Sequence, residues 1–146
     1  MAWEMGLLHH DISFRNILLV YKSNSNHLTR ALLVDWDSCN KENEIDRNRS
    51  GTWEFMSALQ QRYPKKPYQV SDDIEGFVHI ILWCAMRYLD HDYLEPGIFA
   101  NLVEGMFKSR THSIDGVLAG TGSPIKWHAV KGGHPPFHLS DEEQNL

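Results

Sequence analysis

The segment that most constrains the fold is residues 71–89, because its apolar side chains occur on every face of a helix. They are Ile74, Phe77, Val78, Ile80, Ile81, Leu82, Trp83, Ala85, Met86 and Leu89. A helix with this distribution is typical of a protein interior. Ser71 is a good N-cap, and Asp72 and Asp73 fall in the first turn, where the helix dipole favours negative charge. The pattern therefore predicts a buried central helix that begins at Ser71.

A small β-hairpin is predicted near the start of the chain. Residues 17–22 and 30–35 are rich in leucine and β-branched residues, and the polar stretch 23–27 separates them. A shorter helix is predicted from Pro96 to about Phe107, where apolar residues recur at helical spacing. Together these elements predict an α+β fold that is mainly α.

Two other stretches, residues 38–52 and 60–70, are polar or proline-rich and are predicted to be loops. The 146 residues are 42% hydrophobic and 23% charged, which excludes wholesale disorder and suits one globular domain. That domain is expected to span residues 1–110. The segment 111–146 is rich in glycine and proline and is expected to be partly disordered at its end.

Charge and hydropathy exclude several classes of partner. The net charge of −5 argues against nucleic-acid binding, which needs a basic patch. The longest apolar run is too short to span a bilayer, and the first residues lack the features of a signal peptide. An intracellular location, cytoplasmic or nuclear, is expected, with neither nucleic acid nor membrane as a partner.

Three oxygen-bearing side chains flank the predicted hairpin: Asp11 and Asn16 before its first strand, and Asp35 at the end of its second. A carboxylate near an attacking hydroxyl can accept its proton, and carboxylate and amide oxygens are ligands that Mg²⁺ prefers. The alternative is that Asp11 and Asn16 form a turn and Asp35 ends a strand. His9 before the pair, and Val34-Asp35-Trp36-Asp37 after the hairpin, favour a functional site.

Four motifs in order resemble those of the fungal-type protein kinases. They are His9-His10-Asp11-Ile12-Ser13-Phe14-Arg15-Asn16, Asp35-Trp36-Asp37, Gly51-Thr52-Trp53-Glu54-Phe55-Met56-Ser57 and Ser71-Asp72-Asp73-Ile74-Glu75-Gly76-Phe77. They look like the catalytic loop, the metal-binding motif, the end of the activation segment and the start of the central helix. The resemblance covers roughly residues 5–90, and more loosely the chain to about residue 133. It implies an incomplete protein-kinase-like C-terminal lobe.

The resemblance implies a reaction and the residues that perform it. Asp11 would be the catalytic base, Arg15 would reach the transferred phosphate, and Asn16 and Asp35 would bind Mg²⁺. The implied reaction is ATP-dependent phosphoryl transfer to serine or threonine of a protein, with Mg²⁺ and ATP as cofactors. The protein substrate is not readable from the sequence.

The resemblance also implies supporting roles for three residues. Thr52 would lie beside the substrate hydroxyl. Asp73, at the head of the central helix, would hydrogen-bond the backbone of the catalytic loop, and His9 would support the same loop. The helix dipole stabilises a carboxylate at the position of Asp73.

The chain also departs from the pattern of the family. His10 replaces an arginine, Asp37 replaces a glycine and Leu59 replaces a glutamate, and these changes affect the expected switching behaviour more than the chemistry. The 146 residues contain neither a glycine-rich phosphate loop nor the strand lysine of a nucleotide-binding lobe. Because phosphoryl transfer depends on positioning the nucleotide, the chain by itself is expected to be inactive or nearly so.

The sequence leaves two alternative functions open. A small-molecule phosphotransferase of the aminoglycoside or choline kinase kind shares the spacing of Asp11 and Asn16 and a strand similar to Val34-Asp35-Trp36-Asp37. The Gly51–Ser57 motif favours the protein kinase over this alternative. The other alternative is a kinase remnant that acts as a non-catalytic binding module, and the gene sequence upstream of Met1 would discriminate it.

Overall fold

In a computed structural model, the chain forms an α+β fold that is mainly helical. The structure describes residues 2–41, 51–63, 65–90, 95–109 and 122–133. The strands in these ranges are β1 (Leu7–Leu8), β2 (Ile17–Tyr21), β3 (Leu28–Leu33) and β4 (Asn40–Lys41). The α-helices are α1 (Ala58–Arg62), α2 (Val70–Tyr88), α3 (Pro96–Val103) and α4 (Pro124–Gly132). Short 3₁₀ helices span Ala2–Met5, Phe14–Asn16 and Trp36–Ser38, and a π-helical turn spans Glu104–Lys108.

Strands β2 and β3 form the predicted antiparallel hairpin. Its register places Ile17 opposite Leu33. The backbone N–H of Val34 donates to the carbonyl oxygen of Asn16 at 2.9 Å, so the pairing continues just beyond the strands. Strand β3 ends at Leu33, and Asp35 therefore follows the strand instead of ending it. A second small sheet pairs β1 with β4, also antiparallel.

Helix α2 is the longest element of the described chain, but the prediction of a helix buried on every face is wrong. One side packs against the protein through the buried residues Gly76, His79, Ile80 and Met86. The other side carries Ile74, Phe77, Val78 and Ile81, which are 38–66% exposed. An all-round apolar composition does not say how many neighbours a helix has, and the described elements cover only one side of it. Helix α2 thus supports the rest of the fold from a single side.

The start of α2 also differs from the prediction. The helix begins at Val70, and its N-cap is Gln69 instead of Ser71. The backbone N–H of Gln69 donates to the Asp72 carboxylate at 2.8 Å, which is the reciprocal bond of a capping box. Asp72, the third residue of the helix, provides this bond. The helix therefore begins one residue earlier than predicted, and Ser71 lies inside its first turn.

Two helices lie where the sequence predicted a loop or no regular element. Helix α1 occupies part of the predicted loop 60–70, and α4 lies inside the segment 111–146. Each begins after a serine, Ser57 or Ser123, whose hydroxyl accepts a backbone N–H from the first turn of the helix. Pro124 stands at the first position of α4, where the missing N–H of proline costs nothing. Both helices therefore carry ordinary start signals.

The remaining predictions fall partly outside the described residues. The shorter helix is confirmed, since α3 and the π-helical turn run from Pro96 to Lys108. The predicted loop 38–52 begins with the end of a 3₁₀ helix and β4, and residues 42–50 lie outside the described ranges. The expected disorder after residue 133 lies outside them as well. Among the described helices, none combines the length and the apolar character needed to cross a bilayer.

Two hydrophobic clusters form the core of the part of the chain that the structure describes. One consists of Met86, Met106 and Phe107, with apolar side chains of α2, α3 and α4 packed against it. The other consists of Ile12, Phe55 and Ile80. Trp83 contacts both clusters. Since Ile12 directly follows Asp11 in the sequence, the second cluster attaches the loop of residues 9–16 (the 9–16 loop) to α2.

Gly76 is a position where the backbone of α2 packs closely against the 9–16 loop. A Cβ added at Gly76 would lie 2.8 Å from the Cβ of Ile12. Because such a contact forces the two backbones apart, we expect Gly76→Ala to lower the free energy of unfolding by about 1–3 kcal/mol. Urea titration followed by circular dichroism measures the change.

Gly97→Ala, in helix α3, is the matched control. Among the described residues, no atom outside its own helix and chain neighbours lies within 4 Å of its Cβ position. This variant should be neutral or stabilising by up to about 1 kcal/mol. Equal stability of the two variants would contradict the close packing of α2 on the 9–16 loop.

Candidate functional site

The carboxylate of Asp11 lies at the centre of the candidate site. Its Oδ1 accepts two hydrogen bonds from Thr52, one from the backbone N–H and one from the hydroxyl, each 2.7 Å long. Its Oδ2 accepts a hydrogen bond from the amide Nδ2 of Asn16 at 3.2 Å. The same Nδ2 also donates to the backbone oxygen of Asp11 at 2.9 Å. The Asp11 carboxylate therefore contacts two other residues that the sequence predicted for the site, Asn16 and Thr52.

The hairpin fixes Asn16 and brings Asp35 to the same end. Asn16 is 7% exposed, and its backbone N–H donates to the oxygen of Ser13 at 3.0 Å while its own oxygen accepts from Val34. Asp35 follows Val34 directly and is exposed. Its backbone lies in the left-handed region, with φ 64° and ψ 62°. Asn16 and Asp35 thus flank one end of the two-stranded sheet.

The backbone just before Asp11 is held by Asp73, in the first turn of α2. Asp73 Oδ2 accepts from the backbone N–H of His9 at 2.7 Å, and Oδ1 accepts from that of His10 at 3.1 Å. Oδ1 also accepts from the hydroxyl of Tyr68 at 2.8 Å. The helix dipole stabilises the charge of this carboxylate. These bonds supply partners for backbone donors that the fold would otherwise leave unpaired.

The His9 side chain connects the 9–16 loop to the hairpin. The residue is 1% exposed, and its Nε2 donates to the backbone oxygen of Val34 at 2.9 Å. Its Nδ1 accepts from the backbone N–H of Asp11 at 3.3 Å. These two partners require the tautomer that carries its proton on Nε2. The ring of Trp36 contacts the His9 ring edge-on, with 4.8 Å between centroids.

His10 packs as an aromatic residue. It is 3% exposed, and its ring stacks on Tyr68 with 3.8 Å between centroids and an 18° angle between planes. Its φ is 65°, in the left-handed region. The backbone oxygen of His10 lies 2.8 Å from the position of a Cβ at Gly51, whose φ of 118° also favours glycine. This close approach brings residues 51–57 (the 51–57 segment) onto the 9–16 loop.

Arg15 and Asp35 lie at the rim of the site. Both side chains are exposed, and among the hydrogen bonds of the described residues none joins either side chain to Asp11. Arg15 belongs to the same 3₁₀ turn as Asn16. Asp11 therefore contacts Asn16 and Thr52 directly, whereas the other two predicted residues, Arg15 and Asp35, are exposed to solvent.

Asn16 and Asp35 offer hard oxygen donors of the kind that Mg²⁺ prefers. Because the amide nitrogen of Asn16 is directed at Asp11, the amide oxygen at the other end of the group remains available as an acceptor. Within the described ranges, no group of three or more His, Cys, Asp or Glu residues could hold a metal ion. The donor set fits Mg²⁺ bound by a few protein oxygens together with water and phosphate, as is common in nucleotide sites.

The structure adds three supporting residues that the motifs did not predict. Tyr68 contacts His10 and Asp73, as described above. Asp72, which is 3% exposed, accepts from the hydroxyl of Ser57 at 2.6 Å and from the ammonium of Lys66 at 2.7 Å. Lys126 of α4 is fully buried against the 51–57 segment. The serine before α4 could have indicated that helix, whereas no local signal indicates the contacts of Tyr68.

The part of the chain that carries the candidate site is similar to a known protein family. A family model described as fungal protein kinase matches residues 2–85, which is more than half of the 146-residue chain. A search of curated proteins finds no match. The matched region contains Asp11, Asn16, Asp35, Thr52 and Asp73 and ends within α2, so α3 and α4 follow it.

Replacing Asp73 should loosen the 9–16 loop. Asparagine offers one acceptor oxygen and one donor group where aspartate offers two acceptor oxygens, so at least one of the donors that Asp73 binds loses its partner. We expect Asp73→Asn to lower the free energy of unfolding by about 1–3 kcal/mol in urea titration. Asp37→Asn, at an exposed carboxylate, should change it by less than about 0.5 kcal/mol. Similar stabilities would show that Asp73 does not hold the loop.

Tyr68 should make stability depend on alkaline pH. Burial, followed by the neighbouring charge of Asp73 and the hydrogen bond to it, raises the pKa of Tyr68 well above the ordinary value of 10.0. The unfolded chain loses this proton near pH 10 and the folded chain keeps it, so the contribution is present below that pH and is lost above it. Urea titrations between about pH 9.5 and 11 should show a steeper loss of stability in the wild type than in Tyr68→Phe. Parallel slopes would rule out a buried, protonated phenol.

Proposed function

The chain belongs to the fungal protein kinase family, and on that basis we propose that it carries the catalytic residues of ATP-dependent phosphoryl transfer to serine or threonine of a protein. The observation that supports this most is the bond between the Thr52 hydroxyl and Asp11 Oδ1, at 2.7 Å. A hydroxyl that donates to a carboxylate in this way has the geometry of a phosphoacceptor hydroxyl about to give its proton to a base. The Asp11 carboxylate thus already binds one hydroxyl on the side of the 51–57 segment.

Asp11 acts as the general base in this proposal. Its carboxylate accepts the proton of the attacking hydroxyl while the oxygen of that hydroxyl bonds to the transferred phosphorus. Asn16 donates to Oδ2 and Thr52 donates to Oδ1, so the orientation of the carboxylate is fixed before substrate arrives. A base that is oriented in advance needs little rearrangement during the reaction.

Asn16 and Asp35 are the residues that would hold Mg²⁺. When bound there, Mg²⁺ would supply positive charge that offsets the negative charge developing during transfer. The hairpin supports both residues at one end, which keeps their spacing constant. Arg15, exposed in the turn between Asp11 and Asn16, would contact the transferred phosphate. Arginine suits this role because its planar guanidinium matches the geometry of phosphate oxygens.

Thr52 lies on the substrate side in this proposal. Its two bonds to Asp11 bring the 51–57 segment against the base. An acceptor peptide that binds along this segment would present its hydroxyl to the carboxylate of Asp11. Ser57, at the other end of the segment, is held by Asp72, so both ends of the segment are fixed.

The test is phosphoryl transfer from Mg²⁺–ATP by the protein at its full natural length. The acceptors are a serine/threonine peptide library, an aminoglycoside and choline. We expect transfer to peptides, and we expect Asp11→Asn to lower kcat by about a thousandfold because the amide cannot take the proton. Asp90→Asn, at an exposed carboxylate just after the end of α2, should retain activity.

Each other result would contradict part of the proposal. Full activity of Asp11→Asn would remove Asp11 from the role of base. Transfer to the aminoglycoside or choline alone would replace the protein kinase by a small-molecule phosphotransferase. A folded wild-type protein that transfers phosphate to none of these acceptors would contradict the enzymatic function.

A further inference from the structure

A buried lysine outside the family-matched region contacts the 51–57 segment. Lys126, on helix α4, is 0% exposed. Its Nζ donates to the backbone oxygen of Glu54 at 2.6 Å and to that of Met56 at 3.1 Å. The ring of Phe107 lies beside the same amine, 5.6 Å from its centroid. The side chain thus ends at the backbone of a segment whose first residues contact Asp11.

Burial of this amine is energetically unfavourable unless it has specific partners. A lysine on a helix usually extends its charged group into water. Here burial lowers the pKa of Lys126 to about 7, although the carboxylates of Glu75 and Glu54 favour the charged form. His79 also faces this region, and burial lowers its pKa too. The two carbonyl oxygens are the partners that compensate for the lost water.

A second buried side chain holds the same segment and is linked to the same helix. Gln61, on α1, is 0% exposed, and its Nε2 donates to the backbone oxygen of Trp53 at 2.8 Å. Its Oε1 accepts from the backbone N–H of Ser123, the N-cap of α4, at 3.1 Å. The segment is therefore attached to the start of α4 through two independent side chains.

The attached residues belong to one tight turn that reaches Asp11. The backbone N–H groups of Phe55 and Met56 both donate to the oxygen of Thr52 at 3.0 Å. The N–H and hydroxyl of Thr52 point the other way, to Asp11. One end of this turn thus meets the catalytic carboxylate and the other end meets Lys126.

We propose that Lys126 is a positioning residue for the phosphoacceptor site: its bonds to Glu54 and Met56 hold the turn of the 51–57 segment against Asp11. This inference rests on the proposed kinase function. It predicts that Lys126 affects the binding of the acceptor peptide and leaves nucleotide binding unchanged, because its contacts are on the substrate side of Asp11. It also assigns a role to α4, which follows the matched region.

The test compares Lys126→Met with Lys131→Met. Methionine has nearly the length of lysine but no donor, and Lys131 is an exposed lysine on the same helix. Amide hydrogen exchange requires no activity. In Lys126→Met, the amides of Thr52, Phe55 and Met56 should exchange about tenfold faster relative to those of residues 76–84 in α2. Lys131→Met should leave this ratio unchanged.

The kinetic readout uses the protein at its full natural length. In Lys126→Met, the KM for the acceptor peptide should rise about tenfold, while the KM for ATP stays within about twofold. Lys126→Gln keeps a neutral donor that can reach one of the carbonyl oxygens, so it should restore part of the peptide affinity. Lys126→Gln also serves as the test variant if Lys126→Met does not fold.

The outcomes separate this inference from the proposed function. Equal acceleration of exchange in the 51–57 segment and in α2 would show a general loss of stability and overturn the positioning role. Unchanged exchange in the segment would overturn it as well. If the wild type transfers no phosphate to peptides, the proposed function fails, whereas the exchange ratio still decides whether Lys126 holds the segment.

Discussion

Two adjacent carboxylates at the start of α2 hold together segments that are far apart in the sequence. Asp73 accepts hydrogen bonds from the 9–16 loop and from Tyr68, and Asp72 accepts them from Ser57 and Lys66. The helix dipole favours negative charge at this position, so α2 stabilises the two acceptors on which both segments depend. The observed geometry of the candidate site consequently depends on α2 and on its capped first turn.

Apolar packing and polar contacts contribute in different ways to the geometry of the site. The cluster of Ile12, Phe55 and Ile80 attaches both site segments to α2, but apolar contacts are non-directional and do not fix the orientation of a carboxylate. The directional bonds come from buried and half-buried polar groups, such as the half-buried Glu75, which accepts from the backbone N–H of Ala58 at 2.7 Å. Buried networks of this kind specify one geometry because each unpaired member would be costly. Membership of the fungal protein kinase family is consistent with a site whose chemistry depends on such positioning.

The sequence predicted those elements whose signals are local. The hairpin, α2 and α3 followed from residue patterns within short windows, and Asp11 and Asn16 were predicted as site residues from their spacing. The complete burial of α2 was predicted wrongly, because composition does not show which neighbours cover a helix. The bonds between Thr52 and Asp11 join residues 41 positions apart, and those of Lys126 reach residues at least 70 positions away. No pattern within a short window encodes such pairings, so these particular contacts became visible only in three dimensions.

The left-handed backbone at His10 and Asp35 limits which residues can occupy these positions. Left-handed φ values place Cβ close to the following carbonyl, and the penalty is greatest for β-branched side chains, while asparagine, aspartate, histidine and glycine tolerate it. A valine at either position would shift the main chain, moving the oxygen of His10 relative to Gly51 or Asp35 relative to the end of the hairpin. The geometry of the site is thus encoded in main-chain conformation as well as in side-chain chemistry. Substitution at these two positions is restricted by shape even where another side chain could supply the same chemical group.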